Sequence, residues 1–147
     1  MKYISTRGNY KEVSAAKAIQ LGMVPTGGLF VPQEVPQLDK AEIYQFQEAS
    51  YQEMAQKVLG KFLTDYAADE LAELVAAAYN QSNFSQAEIA PLVNLREDEY
   101  ILELWQGPTA AFKDMALQLM PHLLQSVIQN VVLEEDIVIL VATSGDT

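Results

Sequence analysis

Two short stretches of this chain hold side chains whose types and spacing could do chemistry. The first, residues 105–118, reads WQGPTAAFKDMALQ. Its Gly107-Pro108 turn leads from an extended run into a helical pattern, which places Lys113 in the first turns of that helix. Unpaired amides and the positive end of the helix dipole disfavour an ammonium group there. A lysine eased toward its neutral form is a nucleophile for an aldehyde, and the product is a Schiff base. An ordinary helix-start lysine beside Asp114 fits the same residues, and a lone lysine does not choose between the two.

The second stretch, residues 142–147, reads ATSGDT and follows the apolar run of residues 137–142. Such a run suits a parallel strand buried on both faces. The turn after it can offer backbone amides and the Ser144 and Thr147 hydroxyls to an anion. A plain strand-to-helix turn capped by Ser, Asp or Thr fits equally well. Both stretches fall just beyond the carboxyl ends of expected strands, where open α/β sheets place their ligands.

The elements that must position them are legible from periodicity. Residues 100–105 predict a strand, and Phe112, Met115, Leu119, Leu123 and Val127 recur at helical steps. Pro121 interrupts that pattern and must kink the helix or open a new one. Strand, helix and strand in this order predict a right-handed crossover unit. Upstream, residues 14–21 predict a short helix with Ser14 as cap and Gly22 as stop. Residues 25–36 predict a brief extended segment between turns. Tyr51, Met54, Val58, Leu59 and Phe62 share one helical face, and Leu71, Leu74, Val75 and Ala78 share another, so two amphipathic helices should pack as a pair. Thr64 or Asp65 is the expected cap of the second. The polar segment 80–86 followed by Pro91 marks a boundary, giving a helical domain over residues 1–85 and the start of an α/β domain over residues 86–147.

Composition narrows the setting. Half of the 147 residues are apolar and a fifth charged, which is globular rather than disordered composition. A net charge of −11 spread along the chain argues against nucleic acid as a partner. With no cysteine and one histidine, His122, there is no disulfide framework and no expected metal site. No run has the composition of a signal peptide or approaches the roughly twenty apolar residues that span a bilayer, so the expected location is cytoplasmic, with no membrane partner.

Together the two stretches resemble pyridoxal 5'-phosphate (PLP) enzymes of the tryptophan-synthase-β fold type, also called fold type II. In that fold type the cofactor lysine lies in a phenylalanine-lysine-aspartate context and a serine-glycine loop follows the next strand. Here these are Phe112-Lys113-Asp114 and Thr143-Ser144-Gly145-Asp146-Thr147. The opening Ser5-Thr6-Arg7-Gly8, the segment PTGGLFVP at residues 25–32, the Gly107-Pro108-Thr109 turn and Asp146 narrow the resemblance to the threonine synthase family.

That resemblance implies an α/β protein: a small, mainly helical N-terminal domain followed by the first part of an open α/β sheet. It implies that Lys113 carries PLP and moves protons on the substrate. Phe112, Asp114, Ser144, Gly145, Asp146 and Thr147 are the further cofactor-binding residues it implies, with Thr143, Ser144 and Thr147 facing the substrate. The reaction implied is that of a carbon-oxygen lyase, converting O-phosphohomoserine and water to L-threonine and phosphate. The sequence stops at Thr147, inside the second motif. Taken as truncated, the chain is expected to be inactive alone, to hold PLP weakly or not at all, and to self-associate through its incomplete sheet. The competing readings are another fold-type-II lyase or synthase, and a non-catalytic homologue acting as an interaction module.

Overall fold

The computed structural model describes residues 1–129 and 138–143 of the chain. Strand β1 (Tyr3–Ser5) pairs antiparallel with β2 (Phe30–Pro32), placing Ile4 opposite Val31. Helix α1 (Ala15–Leu21) lies between them in sequence and is bounded as the sequence predicts. The Ser14 hydroxyl accepts from the Lys17 amide at 3.2 Å, and Gly22, at φ 67°, donates its amide back to Ala18 and Ile19.

Helix α2 (Lys40–Gln45) has no counterpart in the sequence reading. It is six residues long and buries none of them, so periodicity could not reveal it. Its start is nevertheless a capping box: Asp39 accepts from the Glu42 amide at 2.8 Å while Glu42 accepts from the Asp39 amide at 2.9 Å.

Helices α3 (Tyr51–Phe62) and α4 (Ala68–Ala78) form the predicted pair. Gln52 donates to the Tyr79 carbonyl at 2.6 Å and Gln56 to the Ala68 carbonyl at 3.1 Å, tying the two together. The expected cap is corrected. Ala67 occupies the N-cap of α4 and makes no side-chain hydrogen bond, because α4 starts three residues beyond Asp65. Asp65 instead accepts from the Ala16 amide at 2.8 Å and so caps α1, 49 positions earlier. Thr64 accepts from the amino terminus of Met1.

Beyond residue 86, β3 (Leu92–Arg96) and β4 (Glu99–Leu102) make an antiparallel hairpin with Val93 opposite Ile101 and an irregular register between Asn94 and Arg96. The strand expected over residues 100–105 is therefore present but ends at Leu102. Its partner is the neighbouring β3, not a distant parallel strand. Val138 to Ala142 are exposed, with Leu140 at 94%, and form no strand; Ile137 lies outside the described residues. Among the described residues the crossover unit is not formed. A run apolar on both faces becomes a strand only where a ladder partner and two covering layers meet it. The mixed α/β class stands, with helices and two small antiparallel sheets.

The single helix expected over residues 112–127 is two: α5 (Asp114–Leu117) and α6 (Met120–Gln129). Pro121 is the second residue of α6, where an amide has no intrahelical partner to lose, so the proline opens a helix and kinks none. Leu119, just before α6, and Leu123 and Val127 on its buried side join Leu71, Val75 and Phe84 in one core. Tyr66 donates to the Leu123 carbonyl at 3.2 Å, and Ser126 meets Glu70 across the same contact. No helix among the described residues is long and apolar enough to cross a membrane.

Candidate functional site

Lys113 is fixed by the turn before it. The chain leaves β4, and the Gln106 carbonyl accepts from the Ser85 amide at 2.9 Å, which ties residue 106 to the segment that follows α4. At Gly107 the path reverses, with the Ala110 amide donating to the Gly107 carbonyl at 3.1 Å. The turn then closes on Asp114. The Thr109 amide donates to Asp114 Oδ2 at 2.9 Å and the Thr109 hydroxyl donates to Oδ1 at 3.0 Å.

Asp114 is 0% exposed, so both of its oxygens are spent inside the fold. A Cβ on Gly107 would stand 2.5 Å from the Asp114 Cβ and 2.6 Å from Oδ2, which leaves room for glycine alone. Thr109 thus belongs to the site's framework, although the sequence reading used it only as part of the Gly107-Pro108-Thr109 turn. Its signal was a hydroxyl five positions before an aspartate that must be buried.

Lys113 is the N-cap of α5 and partly buried; its carbonyl accepts from the Ala116 and Leu117 amides at 3.0 and 2.9 Å. Its expected place at a helix start holds. The helix is a single turn of four residues, however, so the field of a long dipole is not available there. Phe112 beside it is 65% exposed. Tyr79, at the end of α4, donates to the Met115 carbonyl at 2.6 Å and so pins α5 to the helical pair.

The structure thus brings together Phe112, Lys113 and Asp114 with Thr109. Thr143 is described and exposed, while Ser144, Gly145, Asp146 and Thr147 lie outside the described residues. Among the described residues no cluster of His, Asp and Glu side chains could hold a metal ion. An open groove of about 700 Å³ runs between the start of α3 and the hairpin, past Ser50, Met54, Pro91 and Leu92, and it includes none of the Lys113 turn.

The two N-terminal motifs prove to be one structural unit. Thr6 donates its amide to the Leu29 carbonyl at 2.9 Å and accepts from the Leu29 amide on its hydroxyl at 3.1 Å. Asn9 donates to the Thr26 and Gly27 carbonyls at 3.0 and 3.1 Å. Gly28 holds φ 108°, and a Cβ there would lie 3.1 Å from the Thr6 hydroxyl. The glycine pair is required for this closure, which explains the motif without a ligand.

Residues 2–79, just over half the chain, match the family described as the threonine synthase N terminus. The threonine synthase of Corynebacterium glutamicum is 38% identical across 100% of this chain, which covers 31% of that protein. That of Methylobacillus glycogenes is 36% identical across 100% of this chain and 32% of its own length. Among solved structures, the PLP-bound threonine synthase from Brucella melitensis superposes with a TM-score of 0.82 at 37% identity, over 88% of this chain and 28% of that one. The yeast threonine synthase gives 0.78 at 35% identity, over 88% and 26%. The chain spans about a third of the length of the curated relatives it matches. With its N-terminal motifs closed into one unit and its whole length aligned to these enzymes, the chain belongs to the threonine synthase family.

Proposed function

We propose that this chain supplies the cofactor lysine of a PLP-dependent carbon-oxygen lyase that converts O-phosphohomoserine and water to L-threonine and phosphate. The observation that carries the reading is Lys113, a partly buried residue on a turn fixed by the Thr109 and Asp114 contacts. The donor chemistry fits the group: an aldehyde cofactor needs an amine held in place, and the phenyl ring of Phe112 next to it is exposed. The kinship with a PLP-bound relative supports the same reading.

When bound, PLP supplies the electron sink for carbanions of the amino-acid substrate. Lys113 would hold it through Nζ, and the same amine would move protons between substrate carbons. Phe112 and Asp114 flank that lysine. Ser144, Gly145, Asp146 and Thr147 would contact the cofactor, and Thr143, Ser144 and Thr147 would offer hydroxyls to the substrate carboxylate. Residues 1–85 act as the helical N-terminal domain and residues 86–147 as the beginning of the cofactor domain; the family match over residues 2–79 supports that division. The acidic surface and a small-molecule substrate suit a cytoplasmic enzyme with no nucleic-acid partner. Covering about a third of such an enzyme, the chain alone would be inactive, hold PLP weakly and associate with copies of itself through its incomplete sheet.

A chimera tests this reading. Residues 1–147 replace the matching segment of the Brucella relative, and threonine formation is measured with and without Lys113→Ala. Activity in the chimera, lost with Lys113→Ala, is the expected result. A folded chimera whose borohydride-reduced PLP adduct maps to another lysine would overturn the assignment.

A further inference from the structure

We infer that Asp114 is a positioning residue, which sets the direction of the Lys113 side chain through Thr109 and touches no ligand itself. This rests on the assignment of Lys113 above. A carboxyl group next to a reactive amine would ordinarily be read as its partner or as a contact for the cofactor. Here both oxygens of Asp114 are engaged by Thr109, one by its amide at 2.9 Å and one by its hydroxyl at 3.0 Å, and the residue is 0% exposed.

The consequence for Lys113 is geometric. Neighbouring residues at the start of a helix point about 100° apart around its axis, so burying Asp114 fixes which way Lys113 must leave the backbone. Thr109 supplies the register, since its two bonds hold the incoming turn at one distance from α5. Gly107 supplies the clearance, since a Cβ there would stand 2.6 Å from Asp114 Oδ2. Three residues that do no chemistry together determine the position of the one that does.

The test uses the 147-residue chain and a readout other than turnover. The chain is incubated with excess PLP, reduced with borohydride, and mapped by mass spectrometry for the yield at Lys113 relative to its other lysines. Amide hydrogen exchange at Thr109 is followed in the same samples. In the unaltered chain and in Thr109→Ser, which keeps the hydroxyl, Lys113 is labelled preferentially and the Thr109 amide is protected. In Asp114→Asn, and more mildly in Thr109→Val, preference for Lys113 falls severalfold and protection at Thr109 drops, while exchange in α3 and α4 is unchanged.

An unchanged preference for Lys113 in Asp114→Asn, with Thr109 deprotected, would overturn the positioning role and leave the lysine assignment standing. No preference for Lys113 in the unaltered chain would overturn this inference, whereas the lysine assignment stands or falls with the chimera. Should Asp114→Asn fail to fold, the comparison of Thr109→Val with Thr109→Ser decides alone.

Discussion

The phenolic hydroxyl of Tyr79 donates to the main-chain carbonyl of Met115 at 2.6 Å, across 36 positions of sequence. The bond joins the last turn of α4 to the helix that Lys113 opens. Tyr79 is 5% exposed and packs edge-on against Tyr51 with ring centroids 5.0 Å apart, so its ring stays in place whether or not the hydroxyl is bonded. In Tyr79→Phe the carbonyl of Met115 loses its donor in a partly buried setting, at a cost of about 1–2 kcal/mol. Urea unfolding should show that loss with an unchanged m-value, and hydrogen exchange should rise in α5 before it rises in α3.

Stability should fall above pH 10. Burial raises the phenol of Tyr79 well above its ordinary value, with Tyr51 adding to the effect. Burial raises that of Tyr66 as well, helped by the Asp65 and Glu70 carboxylates. A group whose folded pKa is raised contributes stability that is complete below its unfolded pKa, near 10 for tyrosine, and is lost as pH climbs toward the folded value. Each buried phenol then costs about 1.4 kcal/mol per pH unit. Thermal unfolding between pH 8 and 11 should be flat to about pH 10 and decline beyond it, with a smaller slope in Tyr66→Phe.

Asp65 should matter to the helix it caps from afar. Its carboxylate meets the Ala16 amide at 2.8 Å, so Asp65→Ala removes a cap from α1 and costs about 1 kcal/mol. Exchange should quicken at the first amides of α1. If the first turn of α4 were the region released instead, the cap would belong where sequence alone places it.

The hairpin and the run after α6 leave a great deal of apolar surface exposed. Leu92 and Leu95 are 63% and 60% exposed, and Val138 and Leu140 are 82% and 94% exposed. Free strand edges beside such surface pair with other chains. Light scattering over a concentration series should show association, and Leu95→Lys should shift it to higher concentration. A strictly monomeric chain across that series would remove the idea.

Sequence alone determined what is decided within about one helical turn. Ser14 and Gly22 bound α1 because a cap bond spans three or four residues, and the stripes of α3 and α4 follow from a 3.6-residue period. Pro121 opens α6 for the same local reason. The order of the short motifs along the chain pointed to the family without reference to their tertiary partners.

Only the tertiary structure decided where side chains with more than one local option turn. Asp65 could have capped α4 and caps α1; Asp114 could have faced a ligand and faces Thr109. Residues 100–102 were legible as extended, but nothing in their own pattern named β3 as their partner. The apolar run at residues 138–142 has strand composition and no strand, since a ladder bond needs a second chain segment to receive it. Local bonds are encoded beside the residues that make them, whereas partners tens of positions away are chosen by the packing of the whole core.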